Sequence, residues 1–146
     1  MTGWGAGCVL AFTVWLAIPS SVLAQVVAGD QIVESLSDHP GDVARGRALV
    51  VSRQEGLCIL CHSGPFPEEP FQGNLAPDLA ASSARLSAAQ LRARIVDASR
   101  FNPDTIMPSY FRTEGLTRVA PQFAGKTILT AQEIEDVVAF LVSLKP

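Results

Sequence analysis

Cys58-Ile59-Leu60-Cys61-His62 sets two thiols three positions apart, with an imidazole directly after the second. This spacing is that of c-type haem attachment. Two thiols add to the two vinyl groups of a porphyrin and form thioethers, and the two intervening residues set the separation between the vinyls. The next residue, His62, is then held beneath the iron with a ring nitrogen facing it. Other chemistries need partners that the chain does not offer. A structural zinc site takes four ligands, and beyond residue 24 there are only these two cysteines and two histidines, His39 and His62. A thioredoxin-like dithiol needs a strand-to-helix context and a cysteine of low pKa, whereas helical periodicity precedes this motif and proline-rich sequence follows it. A disulfide between cysteines three apart is strained. No Ser/His/Asp set, phosphate-binding loop or pair of acids competes for a catalytic role.

A six-coordinate haem iron needs one more ligand. Met107 is the only methionine after Met1. Pro108 fixes its own φ and biases Met107 toward extended backbone, which suits a sulfur aimed inward from a loop. A thioether is soft, neutral and favours ferrous iron, so a His62/Met107 pair implies a raised reduction potential. The alternatives are an ordinary packed methionine and ligation by His39. Asn102–Pro108 is too polar and turn-rich for the first, and His39 lies in a stretch without periodicity.

The elements that must position these groups follow from the hydrophobic pattern. Cys8–Ile18 is an unbroken apolar run, broken by Pro19-Ser20-Ser21 and followed by Val22-Leu23-Ala24. This is the grammar of a secretory signal cut after Ala24, and it implies a periplasmic, exported protein. The run is short for a membrane span, and Met1–Gly7 lacks the usual Lys or Arg, so a retained anchor is the alternative. Residues 1–24 are thus expected to be a signal peptide, 25–40 an N-terminal extension and 41–146 one domain. The chain's 11 basic and 14 acidic residues leave a net charge of −3, the wrong sign for a nucleic-acid binder.

Asp42 to Gln54 carries Val43, Gly46, Leu49 and Val50 at helical spacing. Prolines 65, 67 and 70 with Gly64 and Gly73 make residues 63–76 a loop. Ser87 opens a second helix with Gln90 as capping-box partner, presenting Leu91, Ile95 and Ala98; Pro103 prevents its continuation. Residues 109–128 form another long loop. Thr130 caps a last helix with Glu133, whose buried stripe is Ile134, Val137, Val138, Leu141 and Leu144, broadened by Phe140. Three helices and two long loops leave a hollow centre that a large apolar cofactor would fill.

With these features in place, the domain resembles the class I c-type cytochromes. The resemblance implies a mainly α fold wrapped around one covalently bound haem c, with the Pro77 carbonyl accepting the His62 ring proton and Leu79 packing on the haem. It also implies that Phe140 lies across Gly46 where the first and last helices cross. The aromatic that the family carries on its first helix is replaced by Val50, and its usual glycine before the proline by Ala76.

Gly46–His62 and Leu91–Leu144, above all Asn102-Pro103-Asp104-Thr105-Ile106-Met107-Pro108-Ser109-Tyr110-Phe111 and the loop from Thr113 to Lys126, are similar to SoxX. SoxX is the small monohaem subunit of the thiosulfate-oxidising SoxAX cytochromes. That resemblance implies a larger SoxA-type cytochrome as partner, SoxYZ as sulfur carrier and a downstream acceptor cytochrome. The pair would act as an L-cysteine S-thiosulfotransferase, joining thiosulfate to a cysteine of the carrier, with the catalytic cysteine-ligated haem in the partner. This chain would relay electrons, and it has no further cysteine beyond residue 24 to act as a sulfur-carrying nucleophile. The other readings are a free-standing soluble electron shuttle and a subunit of an unrelated dehydrogenase. A shuttle would favour a lysine-rich docking ring, and the chain has only Lys126 and Lys145. The apolar content of residues 109–128 points to a lasting partner, with Tyr110 and Phe111 as the expected anchors.

Overall fold

A computed structural model of the chain describes Met1 and residues 29–146. The expected signal segment therefore lies, Met1 apart, outside the described residues, as do residues 25–28. The described chain folds into α1 (Val43–Val51), α2 (Leu79–Arg85), α3 (Ala88–Asp97) and α4 (Ala131–Ser143), with 3₁₀ turns at Cys58–Leu60, Ala98–Arg100 and Pro121–Phe123. No β-strand forms among the described residues, and none of their helices is long and apolar enough to cross a membrane.

The caps fall where the sequence put two of them. Ser87 and Thr130 each accept a bond from the third helical residue, and Gln90 and Glu133 reach back to the cap N–H. Asp42 caps α1 by accepting from Arg45 N at 2.8 Å. This helix stops at Val51, short of the expected Gln54, and Val43 at its start is exposed rather than buried. The additional helix, α2, lies between the expected loop and the helix opened by Ser87, in a stretch where the sequence carries no helical signal. Asp78 caps it, accepting from Ala81 N at 3.0 Å.

α1 and α4 cross at Gly46. A Cβ on Gly46 would overlap the Asp136 carbonyl and lie 2.9 Å from Phe140 Cβ, so the helices approach as closely as they do only without a side chain there. Phe140 does lie at this crossing. The aromatic against it comes not from α1 but from the loop after the motif: Phe66 is fully buried, with its ring centroid 5.9 Å from that of Phe140. From α4 the buried Ile134, Val137, Val138 and Leu141 face the same core as Leu91 and Ile95 of α3 and Leu49 and Val50 of α1.

Two acids on α4 tie distant parts of the chain to this core. Asp136 accepts from Asp42 N (2.7 Å) and from Arg45 (2.8 and 3.0 Å), fixing the start of α1. Glu135 receives a two-pronged bond from Arg92 of α3 (2.7 and 2.8 Å) and also accepts from Leu36 N at 2.9 Å. Arg92 in turn donates to the Ile32 carbonyl at 2.8 Å, and Ile32 is 2% exposed. Residues 29–40 of the expected extension are thus laid along α3 and α4. His39 within them is exposed.

Candidate haem site

The motif turn is built by a run of backbone bonds. Leu60 N donates to Leu57 O, and Cys61 N and His62 N both donate to Cys58 O at 3.1 and 2.9 Å. Leu57, which precedes the first cysteine, has φ 61°, a left-handed conformation that costs a non-glycine residue about 1 kcal/mol or more. The following loop is stitched to this turn: Gly73 N to Ile59 O (2.8 Å), Ala76 N to Cys61 O (3.0 Å) and Leu79 N to Ser63 O (2.9 Å). At Gly73 a Cβ would meet the Cys61 backbone at 2.5 Å, so this close approach needs glycine. The stitching brings the Pro77 carbonyl to 2.7 Å from His62 Nδ1. With Nδ1–H donated to Pro77, Nε2 is the ring nitrogen left with a lone pair for a metal.

From the other side comes the segment of Met107. Thr105 N donates to Asn102 O, and Met107 N donates to Thr105 Oγ1 at 3.2 Å. Beyond Pro108 the chain is pinned to the end of α3. Ser109 Oγ donates to Asp97 at 2.5 Å, and Tyr110 N and Phe111 N donate to Ile95 O and Val96 O. Asp97 is buried. Burial alone would raise its pKa, but bonds from Ser109 and Ser99 and the charge of Arg112, 3.0 Å away, hold its carboxyl below the ordinary aspartate value.

Tyr110 corrects one expectation. It is 3% exposed, and its hydroxyl donates to the Gly56 carbonyl at 2.7 Å, so it is a core link between the methionine segment and the motif loop rather than an interface anchor. Phe111 is half-buried against the core. The exposed apolar side chains near the motif are instead Leu60, Phe71, Leu75 and Ile106. Their exposure was not readable from the sequence, because it depends on which loop covers which.

Between the two sides lies a cavity of about 800 Å³. Cys58, Cys61, His62, Pro77, Leu79 and Met107 all line it, so the residues expected from the motif, from the lone methionine and from family resemblance meet at one place. His39 is not among its lining residues. The rest of the wall is largely aliphatic: Val50 from α1, Leu91 and Ile95 from α3, Val137 and Leu141 from α4. Neither cysteine is in a disulfide. Burial pushes the Cys58 thiol up to about 11. It is therefore a neutral thiol and not the low-pKa cysteine of a redox dithiol. No group of three His, Cys, Asp or Glu able to hold a metal ion forms among the described residues. Two thiols, an imidazole oriented by a carbonyl and a thioether around one apolar hollow fit a covalently attached haem.

A chain in the crystal structure of SoxXA from P. pantotrophus is similar to this one at 35% identity, over 83% of this chain and 94% of that one, with a TM-score of 0.75. No protein-family model matches the chain, and no curated protein does. The architecture shared with the SoxXA chain is the mainly helical, class I cytochrome c-like fold.

Proposed function

The chain belongs to the SoxX-type subunits of the SoxXA cytochromes, and from that premise we propose that it is the electron-relaying subunit of a thiosulfate-oxidising complex, holding a single haem c. The observation that carries the reading is the convergence of Cys58, Cys61, His62 and Met107 on one cavity in a chain with this relative. Cys58 and Cys61 would hold the haem through thioethers, and His62 and Met107 would ligate its iron. The group, once bound, supplies a one-electron carrier.

The protein's own contribution is orientation and exclusion of water. Pro77 O fixes the plane and tautomer of the His62 ring and raises its basicity. Leu79, Leu91, Ile95, Val137 and Leu141 keep the surroundings apolar, and Asp97 and Tyr110 hold the methionine segment in place. A neutral sulfur ligand in such a setting favours the ferrous state, as suits an acceptor of electrons from a partner.

The overall reaction joins thiosulfate to a cysteine thiol of a SoxYZ-type carrier. An S–S bond forms, the thiol S–H bond breaks, and one proton and two electrons leave, the electrons passing singly through this subunit to an acceptor cytochrome. The sulfur chemistry belongs to a SoxA-type partner. Leu60, Leu75 and Ile106 line the cavity and are 45%, 71% and 72% exposed, and Phe71 is 80% exposed. Apolar area of this kind at a redox centre suits a protein partner that stays bound. The complex works in the periplasm, and residues 1–24 are its export signal.

The test is co-expression of the full chain with a SoxA-type cytochrome in a host that matures c-type haem. Co-elution by size exclusion, with haem that stays on this chain through acid–organic extraction, is expected. A monomer that ignores the partner makes the free-standing shuttle the better account.

A further inference from the structure

Met107 is carried by a stretch that is tied to the rest of the chain only near its ends. From Asn102 to Pro108 the hydrogen bonds among the described residues are local. Asn102 N donates to Ala98 O, Thr105 N to Asn102 O, Asp104 N to Asn102 Oδ1 and Met107 N to Thr105 Oγ1. Asn102, Pro103, Asp104, Ile106 and Pro108 are exposed. A segment with so few bonds to its surroundings opens at less cost than the core beneath it. Its two ends meet at one carboxylate. Asp97 Oδ1 accepts from Ser99 Oγ at 2.6 Å, just before the segment, and from Ser109 Oγ at 2.5 Å, just after it. Arg112 completes the same junction. Its Nε lies 3.0 Å from Asp97 Oδ2, and its Nη2 donates to Ser99 Oγ (3.2 Å) and to Ser109 Oγ (3.4 Å). Each serine hydroxyl thus donates to the acid and accepts from the base, at opposite ends of one loop.

We propose that the Asp97–Arg112 pair is a clasp that closes the loop of residues 100–108, and that these two, with Ser99 and Ser109, are positioning residues that govern how readily Met107 leaves the haem iron. The inference rests on the haem reading above and concerns the lability of the ligand, not its identity. A thioether favours ferrous iron, so in the ferric protein its retention falls to the loop that bears it. With both ends pinned, a released sulfur stays close and rebinds before an outside ligand enters, as any tethered group does at high effective concentration. Asp97 is 3% exposed, and bonds to a charged group shielded from water are strong. The ordinary alternative is a cap, since Asp97 also accepts from Ser99 N at 3.3 Å at the start of the Ala98–Arg100 turn. A cap accounts for Ser99. It does not account for Ser109, 12 residues on from Asp97, or for Arg112 bonding both hydroxyls.

The test is displacement of Met107 by imidazole in the ferric holoprotein, followed after rapid mixing by loss of the near-infrared sulfur–iron band. At high imidazole the rate stops rising with concentration and reports opening of the loop itself. This limiting rate is compared for wild type, Asp97→Asn, Ser99→Ala, Ser109→Ala, the double serine variant, Arg112→Gln and Arg112→Lys. Asp136→Asn loosens the tie between α1 and α4 and touches no part of the loop, so it controls for general destabilisation. Loss of one bond to a charged group should raise the limiting rate about tenfold in Asp97→Asn and in either serine variant. Arg112→Lys should lie nearer wild type than Arg112→Gln. Freeing either end opens the loop, so the double serine variant should fall short of the product of the single effects. Should Asp97→Asn not accumulate as holoprotein, the serine variants, each lacking one hydroxyl, carry the same comparison. Wild-type limiting rates in both serine variants, or a rise in Asp136→Asn as large as theirs, would overturn the clasp while the haem reading stands. A wild type without covalent haem, or without the sulfur–iron band, removes the ligand reading and the clasp with it.

Discussion

Met107 and Tyr110 show how much of the site turns on single side chains. The methionine stood out in the sequence because the inventory was so small: Met1 is the one other methionine. Met107→Ala should abolish the weak near-infrared sulfur–iron charge-transfer band of the oxidised protein and lower its potential, while His39→Ala should leave the spectrum unchanged. A spectrum that needs His39 would overturn the ligand assignment. Tyr110 was legible only as an aromatic in a long loop, and nothing in its neighbours revealed that its hydroxyl meets Gly56 O from the far side of the motif loop. Tyr110→Phe keeps the ring and removes the donor, leaving a buried carbonyl without its partner. A loss of about 1–3 kcal/mol is expected, read by denaturant unfolding of the holoprotein. The methionine band should then bleach at lower denaturant than in wild type, because the bond joins the two ligand-bearing loops.

At the scale of elements, capping residues and the period of apolar side chains located α3 and α4 well, since Ser87 with Gln90 and Thr130 with Glu133 act within one turn. α2 escaped because it is short, and only Leu79 and Ser83 of its residues are buried, too few to set up a period. The docking of residues 29–40 escaped for another reason. It depends on Arg92 and Glu135, which meet only after α3 and α4 have packed.

The acids that tie elements together predict a pH dependence. Burial raises the pKa of Asp136, but the bonds from Arg45, Asp42 N–H and Gln132 outweigh it and leave the carboxyl below its ordinary value; Asp97 is likewise depressed. A carboxylate with a lowered folded pKa stabilises fully above its unfolded value and ceases to do so as pH falls through the folded one. Stability should therefore decline as pH drops below about 4. Asp136→Asn should start lower and show a shallower decline, as measured by denaturant midpoints across a pH series. An unchanged slope would mean that the Asp136 tie contributes nothing.

For the whole molecule, the sequence carried the cofactor chemistry and the resemblance carried the fold and the partner. What neither carried was which surface remains apolar after folding. Tyr110 went inside, while Leu60, Leu75 and Ile106 stayed at the cavity's edge. The aromatic missing from α1 was replaced from a loop by Phe66. Both outcomes depend on long-range packing that local pattern does not encode. The central claim, that this chain passes electrons from thiosulfate within a SoxXA-type complex, is tested most directly by optical measurement of haem reduction. Thiosulfate and a SoxYZ-type carrier are added to a SoxA-type partner and an acceptor cytochrome, with and without this chain. The account predicts rapid reduction of the acceptor only when this chain is present, and its loss with the Met107→Ala protein. Equal reduction of the acceptor in the absence of this chain would contradict it.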